Sequence, residues 1–171
     1  MLTVQPSRSR ALTSLLKQST PALLGVSLMI GSSIAQATPF VISANGQEVT
    51  DSATGLIWRR CPEGMTWNGS ICNNSATFYD HENALKRATS EASSSKLNWR
   101  LPNAKELETL LIENAANPAL DVTAFPNTPN ELFWSSTPYS GDSDGAWVVD
   151  FSVGVVGAIM RNHLSFVRLV R

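Results

Sequence analysis

The chain has 171 residues, is 43% hydrophobic and 16% charged, and carries a formal charge of −1 at pH 7. That balance, without a basic run, argues against a nucleic-acid binder. It argues equally against electrostatic attachment to anionic membranes.

Residues 1–37 contain Arg8, Arg10 and Lys17 but no acid, then the apolar run from Pro21 to Gly31, then Ala35-Gln36-Ala37. A basic start, a short apolar core and a small-residue site form the pattern of a secretory signal peptide, with cleavage expected before Thr38. The apolar run is shorter than the roughly 20 residues of a membrane span, so no stable span is expected after cleavage. The remaining residues 38–171 suffice for one domain with a core and are too few for two. Loss of three basic residues also leaves this domain more acidic than the whole chain. Its expected location is the periplasm, the cell surface or the medium.

Val49-Thr-Asp-Ser-Ala-Thr-Gly-Leu-Ile-Trp58 reads as two short strands joined by a turn at Asp51 to Gly55. Cys61 and Cys72 follow, and an even count in an exported chain points to one disulfide. Asn68-Gly69 between them is a strong hairpin signal, since both positions tolerate positive φ. That hairpin would set the two cysteines face to face. Asn68 and Asn73 also open N-x-S sequons, relevant only in a glycosylating host.

Asp80 is the expected N-cap of a first helix reaching about Ala92, with Ala84, Leu85 and Ala88 on one face. In Asn98-Trp99-Arg100-Leu101-Pro102-Asn103, the proline stops any helix from entering ahead of the cap. Asn103 and Glu106 have capping-box spacing, with Ala104, Leu107, Leu110 and Leu111 forming the apolar stripe of the helix that follows. Trp99 and Leu101 are expected to point inward, and Arg100 to lie across the fold, pairing with backbone carbonyls or a carboxylate and tying several loops through its five donors. Pro118, Pro126 and Pro129 break the next stretch into a loop. Leu132–Ser136, Ala146–Phe151, Val153–Ile159 and Ser165–Arg171 then read as strands. Two early helices and an antiparallel sheet formed largely by the last third give an α+β domain. Trp58, Trp99, Trp134 and Trp147 are expected in its core.

The order of these landmarks resembles the Lcl C-terminal domain family. The landmarks are Val49 to Trp58, the Cys–Trp-Asn-Gly–Cys hairpin, the helix after Tyr79, Asn98 to Leu107, Phe125-Pro-Asn-Thr128, Phe133-Trp-Ser-Ser-Thr137, Ala146-Trp147 and Phe166 to Arg171. The resemblance implies a C-type-lectin-like fold related to the formylglycine-generating enzymes. It also implies export and, for the collagen-like adhesin that names the family, binding of sulfated polysaccharides. This chain has no collagen-like repeat, so avidity through a trimer is not implied. It also lacks the late cysteine pair those enzymes use, so their chemistry is not carried over.

Little in the sequence points to catalysis. Only His81 and His163 could serve as bases near neutral pH, there is no third histidine for zinc, and Gly-x-Ser-x-Gly is absent. Gly154-Val-Val-Gly157 has no helix start behind it and is not a phosphate loop. Gly141-Asp142-Ser-Asp144-Gly145 is the one local cluster able to offer oxygens to calcium, through Asp142 and Asp144. Tyr139 in the same loop is the candidate for stacking on a sugar, with Arg161 or Asn162 supplying hydrogen bonds. Arg161, Arg168 and Arg171 are the late residues that could form a basic patch. The expectation is a non-catalytic binding or adhesion module for a surface polysaccharide or protein. The alternative is a structural subunit of the cell envelope without a small ligand.

Overall fold

The computed structural model describes residues 39–171, so the expected signal peptide at 1–37 lies outside the described residues. The first sheet is antiparallel, with β1 (Phe40–Ile42), β2 (Glu48–Asp51) and β3 (Ile57–Arg59) in chain order. Asp51 builds the turn between β2 and β3. Its carboxylate accepts from the Ala53 N–H at 2.9 Å and the Thr54 hydroxyl at 2.6 Å. Its carbonyl accepts from the Gly55 N–H, where φ is +75° and a side chain would be strained.

The disulfide joins Cys61 to Cys72, with Cα atoms 5.5 Å apart. The hairpin is differently placed from the sequence reading. Its strands are β4 (Thr66–Trp67) and β5 (Cys72–Asn73), so Cys61 lies outside it and the bridge ties the end of β3 to the hairpin's second strand. The loop is longer than two residues because the Asn68 side chain accepts from the Ser70 and Ile71 N–H groups, an Asx turn that draws both into the bend. Positive φ falls on Gly69 and not on Asn68.

Helix α1 (His81–Ser95) starts at the Asp80 cap, which accepts from the Asn83 N–H, and ends at Lys96 in the left-handed region. Ala84 and Ala88 are buried and let the helix seat closely. Leu85 departs from the expected face and is exposed, since one position on from Ala84 lies about 100° around the helix. Helix α2 (Ala104–Glu108) carries the full Asn103–Glu106 capping box.

Arg100 finds a carboxylate, one of its two expected kinds of partner, but does not lie across the fold or tie several loops. Its guanidinium grips the Glu106 carboxylate with two bonds of 2.7 and 2.8 Å, six residues along the chain, and remains largely exposed. The loop-tying arginine is Arg168, which is fully buried. It donates to the carbonyls of Arg59 and Arg60 and, at 2.6 Å, to the Thr128 hydroxyl. Its charge stands 4.7 Å from the centroid of Phe125. Burial pushes its pKa down to about 9, which leaves it protonated at neutral pH.

The second three-stranded sheet is β6 (Leu132–Pro138), β7 (Gly145–Asp150) and β8 (Val155–Met160), antiparallel in that order. Ser165–Arg171 is not the continuous strand its sequence suggests and makes single bridges to several segments. Ile57 and Arg171 exchange N–H···O bonds at 2.9 Å, as do Arg100 and Val170 at 2.9 and 3.0 Å, while Trp134 N–H reaches Phe166 O at 2.9 Å. The segment therefore threads between the two sheets. Its side chains alternate in the manner of extended chain. Phe166 and Val170 enter a cluster with Val49, Trp58, Phe133 and Phe151, whereas Val167 and Leu169 enter another with Trp99, Leu101 and Trp134. Pro102 is buried beside them. No helix among the described residues is long and apolar enough to cross a membrane.

Candidate functional site

The connection from β6 to β7, Tyr139–Asp144, is short and folds back at Gly141 onto Tyr139. The Tyr139 N–H donates to Gly145 O at 3.1 Å, closing the loop at its base. A Cβ on Gly141 would lie 2.6 Å from the Tyr139 hydroxyl oxygen, so only a bare α-carbon permits this approach. The far side of the ring meets Trp147 edge-on, with centroids 5.3 Å apart. Tyr139 is consequently half-buried. Trp147 is half-buried too and does not join the core as expected. It stands on β7 opposite Ala158, beyond the point where the core cluster around Val149 ends, and Tyr139 is its cover.

Asp142 and Asp144 sit at the exposed tip. Asp142 uses Oδ1 to accept from the Asp144 N–H at 2.9 Å, a turn that holds its carboxylate toward the backbone. Arg161 joins this loop to the end of β8, its N–H donating to Asp144 O at 2.8 Å and its Nε–H to Gly145 O at 3.0 Å. The five residues Tyr139, Asp142, Asp144, Arg161 and Asn162 thus come together at one end of the sheet. They line three adjoining shallow depressions of about 180, 220 and 420 Å³, the first and second sharing Met160, the second and third sharing Arg161 and Asn162. Calcium takes six to eight oxygens, and among the described residues no three His, Cys, Asp or Glu side chains gather into a metal-holding group.

The third depression is floored by His81, which is buried with its ring edge-on to Trp134. Its Nε2 lies 3.0 Å from Ser135 O, a contact that requires the proton on that nitrogen. Burial is the main cause holding the His81 pKa below its usual value. The neighbouring Asp80 carboxylate is spent on Asn83, on both its backbone and side-chain nitrogens at 2.8 Å. The ring therefore faces a carbonyl where an acid–base pair would need a carboxylate.

The Lcl C-terminal domain family matches residues 47–171. The chain belongs to this family. Comparison with curated proteins found no match. In this Lcl C-terminal domain the supposed basic patch does not form. Arg168 is buried, Arg171 pairs with Glu48 at 2.7 Å, and Arg161 is turned onto the Gly145 carbonyl at the start of β7. Two features escaped the sequence reading. Phe78 is 54% exposed while stacked on Phe166 with centroids 4.2 Å apart, beside the equally exposed Leu164. A polar cleft of about 310 Å³ also opens next to the disulfide, where Arg59, Arg87, Glu63 and Glu91 alternate in one ion-pair chain. Arg87 and Glu91 are an i,i+4 helix pair, but their links to Glu63 and Arg59 span 24 and 32 residues and have no local signature.

Proposed function

We propose that this Lcl C-terminal domain is an exported, non-catalytic binding module of C-type-lectin-like type, acting in the periplasm or at the cell surface on a polysaccharide or protein. The observation that supports this most is the row of three adjoining depressions carrying Tyr139, Met160, Asp142, Asp144, Arg161 and Asn162. A partly exposed aromatic pair beside amide, guanidinium and carboxylate groups suits the alternating apolar faces and hydroxyl edges of a sugar chain. The shallow, elongated form suits a polymer better than a small metabolite. Without a basic patch, neutral or weakly acidic glycans fit better than densely sulfated ones.

Glycan-array binding of the purified protein, with calcium and with chelator, tests the reading. Binding that drops about tenfold in Tyr139→Ala supports it, and chelator sensitivity would assign Asp142 and Asp144 to a cation. No glycan binding in any condition removes the polysaccharide reading. The envelope-subunit alternative would then stand in its place.

A further inference from the structure

The fold leaves one ring nitrogen of His81 without a partner. The residue opens α1 and is 2% exposed, with its backbone N–H on Arg161 O at 2.9 Å and Nε2 3.0 Å from Ser135 O. A carbonyl only accepts, so Nε2 carries the proton and the neutral ring keeps a bare lone pair at Nδ1. Nδ1 has no hydrogen-bond partner among the described residues, and it is not one of the side-chain nitrogens sealed from solvent without a partner. Its lone pair therefore opens on the depression of about 420 Å³ that His81 lines with Asp80, Glu82, Leu85, Arg161 and Asn162.

The groups around that lone pair decide what can meet it. Asp80 is committed to Asn83 through both oxygens, and Glu82 to Lys86. Arg161, from the turn after β8, spends Nε on Gly145 O, and its two terminal nitrogens have no partner among the described residues. Exposed Asn162 adds an amide and Leu85 an apolar flank. A carboxylate or sulfate drawn to Arg161 would turn its oxygens on the Nδ1 lone pair and on both carboxylates. An ammonium able to donate to Nδ1 would meet Arg161. A hydroxyl satisfies both sides at one oxygen, donating to Nδ1 and accepting from the guanidinium.

We propose that this depression is a subsite for one neutral sugar residue, a hydroxyl of which donates to His81 Nδ1 and accepts from Arg161. Its ligand class rests on the polysaccharide reading, and His81 becomes the residue that selects hydroxyls over anions at this end of the row. The volume lies within the range of pockets that hold a small ligand. Arg161 and Asn162 are shared with the next depression toward Tyr139, so a sugar bound here continues into the row. The contact requires the neutral ring. Burial foremost, and Arg161 further, hold the His81 pKa down, while Ser135 O and Asp80 pull the other way. Glu82 is the remaining charged group on the depression. As pH falls through that lowered pKa, Nδ1 gains a proton, loses its lone pair and faces Arg161 as a second cation, so sugar binding should fade in acid.

Nuclear magnetic resonance of the histidine ring nitrogens in isotope-labelled protein tests the subsite, with glucose, galactose, mannose and N-acetylglucosamine as neutral probes and acetate and phosphate as anionic ones. The free protein should show the Nε2–H form, and at least one neutral sugar should shift Nδ1 while the anions leave it in place. The His163 ring, on the same turn but outside the depression, should not respond. His81→Gln keeps an N–H within reach of Ser135 O but removes the acceptor, and should weaken that sugar about fivefold. If this variant fails to fold, the Nδ1 response of the parent protein decides alone. A ring with its proton on Nδ1 overturns the proposal, as does an Nδ1 that no neutral sugar moves or that answers to the anions instead. Glycan-array hits that need Tyr139 but ignore His81→Gln overturn it and leave the polysaccharide reading standing. A monosaccharide that shifts Nδ1 beside an empty array supports the subsite and removes the polymer reading.

Discussion

Replacing Arg168 by methionine isolates what a buried guanidinium contributes here. Methionine roughly keeps the volume and the flexible stem but removes the fork that holds Arg59 O, Arg60 O and Thr128 Oγ1. A buried acceptor left without a partner costs about 1–3 kcal/mol. Arg60 is buried, while Arg59 and Thr128 are half-buried and can recover part of the loss from water. The three together give about 4 kcal/mol. Against this, methionine escapes the desolvation of a charge that has no carboxylate beside it, and loses the contact with the Phe125 face. A net loss of about 3 kcal/mol is expected, read as a lower urea midpoint at unchanged slope and a fall of roughly 10 °C in Tm. A variant within about 0.5 kcal/mol of the parent would refute the reasoning, because desolvation would then cancel all three ties.

Two further outcomes follow from local features. Cys61→Ser with Cys72→Ser opens a bridge that spans 11 residues and should cost about 3 kcal/mol in thermal or urea unfolding. Glu106 is held below the usual carboxylate range, chiefly by its bonds from Arg100 and further by the Asn103 N–H. A depressed folded pKa means that its stabilisation is complete above the unfolded value of about 4.3 and disappears as pH falls through the folded value. Glu106→Gln should therefore flatten the acid limb of a stability–pH profile below about pH 4, and an unchanged limb would count against the Arg100 grip.

What could be read from the sequence was what is decided within a few residues. The Asp80 and Asn103 caps, the Asp51 turn and the Glu106 capping box each need only neighbours, and all are present. The single disulfide was legible because two cysteines admit one intramolecular pairing. The arginines were not legible. Arg100 and Arg168 have the same side chain, yet Arg100 is claimed by the Glu106 carboxylate six residues on, whereas Arg168 depends on carbonyls more than a hundred residues away. Size alone points Trp147 to the core, where large aromatics usually go. Its half-exposure follows from where Tyr139 and the loop glycines end the packing. The five candidate ligand residues did converge, since the loop before β7 and the turn after β8 meet through Arg161.

The threading of Ser165–Arg171 between the two sheets also bears on how the molecule is made. Neither hydrophobic cluster is complete without side chains from this last part of the domain. Its partners at Ile57, Arg59 and Arg100 are translated long before it. An emerging polypeptide must hold those segments open until the final stretch is available, and the sequence distances involved make closure slow. Synthesis must therefore reach this stretch before either cluster can close.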